Sequence, residues 1–157
     1  MVGTDGLHAG ASSAIGSLPY LDAEEAARVM LAAAPKLPAA PELIRLSPAA
    51  SLLGSVAAAV PGLVMTAAGL QATRPIDPES PLDVGPDPAR DAGLLALAAL
   101  ADDGLPAIKV QVPGPVTVAT ALTGTGMPVI EARRLALRFA RARAAALLDH
   151  VVDALPM

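Results

Sequence analysis

This chain has to build its core almost without aromatic rings. Tyr20 and Phe139 are the only two in 157 residues, yet hydrophobic residues make up 54 % of the sequence. Packing therefore falls to Ala, Leu and Val, which bring less buried area per residue than rings do. The same scarcity nearly removes stacking platforms for bases or flavins. Sixteen prolines and thirteen glycines interrupt the chain often, so short elements with many connections are expected. At this length the expectation is a single domain, residues 1–157, with a core of its own.

Charge narrows the function classes. A formal net charge of -4 argues against a nucleic-acid partner, which normally meets a basic excess. The chain has no cysteine, so neither a disulfide nor a thiolate metal site can form within it. The opening residues, MVGTDGLHAG, show no cationic stretch leading into an apolar one. No signal peptide is expected there, residues 1–11 read as a flexible tail, and a cytoplasmic location is the default. Residues 46–73 carry no charge and are long enough to cross a bilayer. That length keeps a small membrane-associated protein among the readings. Pro61-Gly62 divides the run, however, and favours a buried helix followed by a buried strand. Residues 110–130 are also uncharged, but three prolines, three glycines and four threonines interrupt them.

The apolar pattern then alternates along the chain. A strand at residues 12–16 leads to a helix at 23–34, where Asp22 and Glu25 form a capping-box pattern. A weak extended piece at 40–44 precedes a helix at 49–60, and LVMTAA after Pro61-Gly62 reads as a strand. A polar, proline-rich loop, TRPIDPESPLDVGPDP, leads to a helix at 89–102 and a stop at Gly104. The strand AIKVQV at 107–112 ends in Pro-Gly-Pro; a short helical segment and a long helix at 129–154 complete the order. Four strands, each followed by helical sequence, predict an α/β fold with a parallel sheet. A (β/α)8 barrel takes about 250 residues, so the fold class expected is a partial TIM barrel of about four βα units. A smaller complete α/β sheet is the alternative. The sequence stops just after a helix, where a barrel would begin its next strand, which predicts an unfinished barrel.

Several individual residues carry two readings. Gly16-Ser17 at the end of the first strand is either a turn filler, with Ser17 bonding local backbone, or a ligand contact. In the second reading glycine admits close approach and the hydroxyl helps hold a carboxylate. Glu42, taken by itself, reads as an exposed loop glutamate paired with Arg45. Lys109 lies within an apolar alternation, so it is a buried, paired lysine or a strand-edge charge. Gly114 shapes a turn, and Thr117 caps the short helical segment. His8 reads as an exposed histidine, and His150, beside Asp149 and Asp153, as a solvated or capping one, since a metal would need a third ligand. Arg134, Arg138 and Arg141 form one helical stripe, read as a solvated face, with a phosphate or partner site as the alternative. No phosphate loop, nucleophile elbow or metalloprotease helix occurs, and no residue is assigned a catalytic role.

Four segments, AIGSLP, APELIR, TRP and KVQVPGPVT, taken in this order, resemble the first half of the catalytic barrel of cobalamin-independent methionine synthase. The likeness is nearest to the short, single-barrel relatives in that family; uroporphyrinogen decarboxylase shares the broader fold. It covers nearly the whole of this chain and about half of the family's barrel. The resemblance implies that Ile15, Gly16 and Ser17 contact the amino-acid moiety of homocysteine and that Glu42 takes its ammonium. Arg74 and Pro75 line up with the pair that closes a methylfolate-contacting segment. Leu70, Gln71 and Ala72 just before them depart from the family's polar pattern. Lys109, Gly114 and Thr117 match a strand and turn near the pocket. The family transfers methyl from methyltetrahydrofolate to a thiolate activated by zinc. Its metal ligands (a histidine, cysteines and a glutamate) come from the second half of the barrel. The resemblance thus implies no cofactor in this chain, with zinc only in a complete family member, and a small thiol amino acid as ligand. Two further readings stand beside it. One is a non-catalytic module whose open strand edges and apolar interior are covered by a homo-oligomer or a complementary half-barrel; the other is the membrane-associated protein above.

Overall fold

A computed structural model describes residues 12–101 and 105–154. The expectations placed on residues 1–11 with His8, and on Asp102 and Gly104, lie outside the described residues. The chain is α/β, mostly helical, with one small two-stranded sheet. Its elements are α1 (Ala23–Ala33), a 3-10 turn (Pro48–Ala50), α2 (Leu52–Ala59), β1 (Leu63–Thr66) and β2 (Gly69–Ala72). Three more helices follow: α3 (Pro88–Leu100), α4 (Pro115–Gly124) and α5 (Val129–Ala154).

The first three α-helices begin where a side chain supplies missing acceptors. Asp22 accepts from the Glu25 N–H at 2.7 Å and starts α1. Ser51 accepts from the Gly54 N–H at 2.9 Å and separates the 3-10 turn from α2, so the helix expected at 49–60 is two elements. Asp87 accepts from Ala89 N and Arg90 N ahead of α3, with Pro88 in the first turn, where its missing N–H costs nothing.

The four-stranded parallel sheet is not what forms. Leu63–Thr66 turns back on itself and pairs antiparallel with Gly69–Ala72, from Leu63 opposite Ala72 to Thr66 opposite Gly69. Gly69 has φ +105, a region costly to residues with a Cβ, and Thr66 Oγ1 donates to the Gly69 carbonyl at 2.9 Å. The run read as one strand is thus the first arm and turn of a hairpin. The other three expected strands are extended segments held by isolated parallel bridges, Ser17 to Glu42 and Ala39 to Lys109. Pro38, Pro41, Pro106 and Pro113 stand within or beside two of them, and each removes a donor a ladder would need. The segments therefore lie side by side in the order 12–18, 38–43, 107–112, joined at single points. The charge-free run 46–73 becomes the 3-10 turn, α2 and the hairpin, and no helix among the described residues is long and apolar enough to cross a membrane.

Two cores hold these parts together. The first joins α2, β1, α4 and the first half of α5, through Val56, Val60, Leu63, Val118, Leu122 and the fully buried Phe139. The second sits between α1, α3 and the end of α5, with Ile108 of the third segment packed among Leu94, Leu97, Leu147 and Val151. Helix α5 spans both. Its arginines also fasten the proline-rich loop. Arg138 donates to the Pro78 carbonyl and to Ser80 O at 3.2 Å, and Arg134 lies 3.3 Å from Glu79. The stripe read as a solvated face is, for two of its three members, a clasp on that loop.

Candidate functional site

The ends of the three extended segments bring one polar group together. Glu42 N–H donates to Gly16 O at 2.8 Å and Leu18 N–H to Glu42 O at 3.2 Å, which sets the first segment against the second. That register puts Ser17 beside Glu42, and Ser17 Oγ donates to Glu42 Oε2 at 3.1 Å. From the third segment Gln111 Nε2 donates to Glu42 Oε1 at 2.9 Å. Two residues earlier, Lys109 Nζ donates to Ala14 O at 2.9 Å and ties the third segment to the first. Gly16 makes this approach possible: a Cβ there would stand 2.4 Å from Ala40 O and 2.9 Å from Gln111 Nε2.

Glu42 is the chemical centre of the group. Burial pushes its carboxyl above the usual range, while the Ser17 and Gln111 hydrogen bonds pull it back down. A carboxylate raised in this way costs folding stability at neutral pH. The folded state binds the proton more tightly than the unfolded one, so stability rises as pH falls through the raised value. A cation placed on Glu42 would relieve the same cost. None of the ion pairs among the described residues involves Glu42. Arg45, its sequence-level alternative partner, donates instead to Pro19 O at 3.2 Å.

Behind Glu42 lies a small cavity of about 40 Å³ whose lining includes Gln111, Ser51, Ser55, Arg90, Asp91 and Arg143. Its far wall is a buried ion cluster: Arg90, Asp91 and Arg143 are only 5 %, 9 % and 4 % exposed. Asp91, at a kink in α3, receives Arg90 Nε at 3.3 Å and Arg143 Nη2. The remaining bonds of the two guanidiniums go to the carbonyls of Asp83, Val84 and Gly85. Burial lowers the Arg143 pKa, and the Asp91 partner opposes that shift. Sequence reading passed over this cluster and Gln111. No motif in the sequence marks Arg90 or Asp91, and Arg143 lies outside the stripe at 134, 138 and 141.

The other expected residues are more scattered. Ile15 adjoins Gly16 and is 73 % exposed. Gly114 and Thr117 are exposed at the start of α4; Gly114 precedes the helix and Thr117 stands within it, so Thr117 is not the cap expected, and no side chain caps that end. Arg74 lines a separate hollow with Thr125, Met127 and Glu131, a lining that shares no residue with the cavity behind Glu42. His150 Nε2 is buried without a hydrogen-bond partner. No group of three metal-ligating side chains occurs among the described residues, and the sequence lacks the family's cysteines. A zinc centre therefore does not fit the residues present. Comparison of the chain with protein-family models, with curated proteins and with solved structures finds no match.

Proposed function

We propose that this chain is a ligand-holding partial barrel of the methionine-synthase type, which grips the amino-acid end of a homocysteine-like thiol at Ser17 and Glu42. The observation that carries the reading is the Ser17–Glu42 contact of 3.1 Å across a parallel bridge, at the ends of adjacent segments. Gly16, next to Ser17, lets Ala40 O and the Gln111 amide close against the first segment, which brings Gln111 within reach of the same carboxylate. A carboxylate offers about four lone-pair positions, and Ser17 and Gln111 occupy one on each oxygen. The rest suit the donors of a primary ammonium. Parallel pairing in the order first, second, third segment is the arrangement a barrel of this kind would begin with, and the hairpin then lies within the connection from the second segment to the third.

The chemistry is assigned to the complete family, which transfers methyl from methyltetrahydrofolate to the thiol. Thiolate activation by zinc would need ligands from another segment or chain. This chain's own part is to bind and orient the amino acid.

Calorimetric titration tests the reading. L-homocysteine and L-methionine are expected to bind the wild-type chain, and Glu42→Ala to lose at least tenfold in affinity, the scale of a hydrogen bond to a charged group. Equal heats from wild type and variant, or no heat from either, would overturn it.

A second reading, a non-catalytic interaction module, is favoured by one observation. Ile15 stands exposed on the first segment, whose contacts to its neighbour include a single bridge, so a homo-oligomer or a complementary half-barrel would extend the pairing there.

A further inference from the structure

The third extended segment contributes a residue that no pattern in the sequence singled out. Gln111 reaches across from residues 107–112 to Glu42, and its amide is the only contact between that segment's side chains and the carboxylate among the described hydrogen bonds. Gly16 is bare where this amide passes: a Cβ there would press to 2.9 Å on Gln111 Nε2. The chain thus leaves room for the amide at a position where almost any other residue would displace it. Lys109, on the same face two residues earlier, is committed elsewhere, to Ala14 O at 2.9 Å, so it does not neutralise Glu42.

We propose that Gln111 is the positioning residue of this site, holding the Glu42 carboxylate ionised and aimed so that it receives a ligand's ammonium. The inference deepens the reading above and rests on it for the ligand. The physical reason is the one-sidedness of the bond. An amide N–H can only donate, and an ionised carboxylate only accepts, so the contact of 2.9 Å favours the charged form. Ser17 supports the opposite oxygen from an exposed position, whereas Gln111 is partly covered and follows closely on Lys109, whose bridge to Ala39 and bond to Ala14 O fix the third segment. The other charged groups near Glu42 do not substitute for it. Arg90 and Asp91 on α3 and Arg143 on α5 line the same cavity but are bonded to one another and to loop carbonyls. Arg45, on the same stretch as Glu42, is held by Pro19 O.

The consequence is a pH dependence set by a neutral side chain. Removing the amide donor should move the Glu42 titration further upward, and the pH at which a cationic ligand begins to bind should rise with it. Carboxyl-carbon NMR of protein labelled in its five glutamates reads that titration directly, with no ligand present. Gln111→Met is expected to raise the Glu42 midpoint and to weaken L-homocysteine binding at neutral pH by about tenfold, the scale of one hydrogen bond to a charged group. Binding should recover as pH is raised. Gln111→Asn, which keeps an amide on a shorter arm, should fall between the two. Unchanged amide spectra away from the site would establish that the variants fold. An unmoved Glu42 midpoint in Gln111→Met would overturn the inference even if the wild type binds the amino acid. A moved midpoint together with a wild type that ignores L-homocysteine would leave the positioning role standing and remove only the proposed ligand.

Discussion

Asp91→Ala should be among the most damaging single substitutions in this protein. It removes the carboxylate shared by two guanidiniums that are nearly sealed from water, and breaking a buried ion pair from one side costs about 3–5 kcal/mol. Natural domains have about 5–15 kcal/mol in total, so the loss would be a large share of what holds the chain folded. The damage should also have a direction. Arg90 and Arg143 carry the carbonyls of Asp83, Val84 and Gly85, so the proline-rich loop loses its anchor along with α3 and α5. Urea unfolding should show the drop in stability, and limited proteolysis should cut first within residues 78–87. A variant as stable as the wild type, with the loop still protected, would mean that the cluster is surface charge in effect.

Phe139→Ala should cost as much by a different route. The ring is fully buried among Val118, Leu122 and Leu135, where α2, α4 and α5 meet. Phe-to-Ala truncation in a core costs about 3–5 kcal/mol, because the cavity left behind closes only partly. Here its neighbours are aliphatic, and the sequence has no second phenylalanine. A fall in melting temperature of about 10 °C or more is expected for a chain of this size. A fall of only one or two degrees would show that α4 and α5 are held by contacts other than the ring.

The parts of the fold that could be read in advance are those with local causes. Helix α5 runs from Val129 to Ala154, the span expected, and its buried face is apolar except at Arg143. Helix α1 starts at the Asp22 cap, also as expected. The strands failed for a non-local reason. LVMT has the composition of a buried strand, but its partner is the GLQA that comes after it, and nothing in either run favours an antiparallel neighbour over a parallel one until Gly69 turns the chain. The other segments are extended as expected, yet prolines at 38, 41, 106 and 113 keep their pairing to single bridges.

The site divides in the same way. Ser17 and Glu42 were named together through a resemblance in segment order, and the fold places them 3.1 Å apart. Gln111 joins them from 69 residues away. An amide in the run AIKVQV gives no sign of what it faces. Arg143 meets Asp91 across 52 residues, so its helical position alone marks it as one more arginine on a basic helix. Arg74, grouped with the pocket by resemblance, lies in a hollow that shares no lining residue with the cavity behind Glu42.

The most direct test of amino-acid binding at Ser17 and Glu42 is where a small amino acid touches the chain. Amide chemical shifts should be followed as L-homocysteine is added to the wild-type protein under reducing conditions. Gly16, Ser17, Leu18 and Glu42 are expected to move together along one binding curve, and Ser17→Ala to weaken the curve without abolishing it. Shifts confined to the apolar groove between α4 and α5, lined by Val116, Val129 and Leu137, or none at all at saturating ligand, would contradict that assignment.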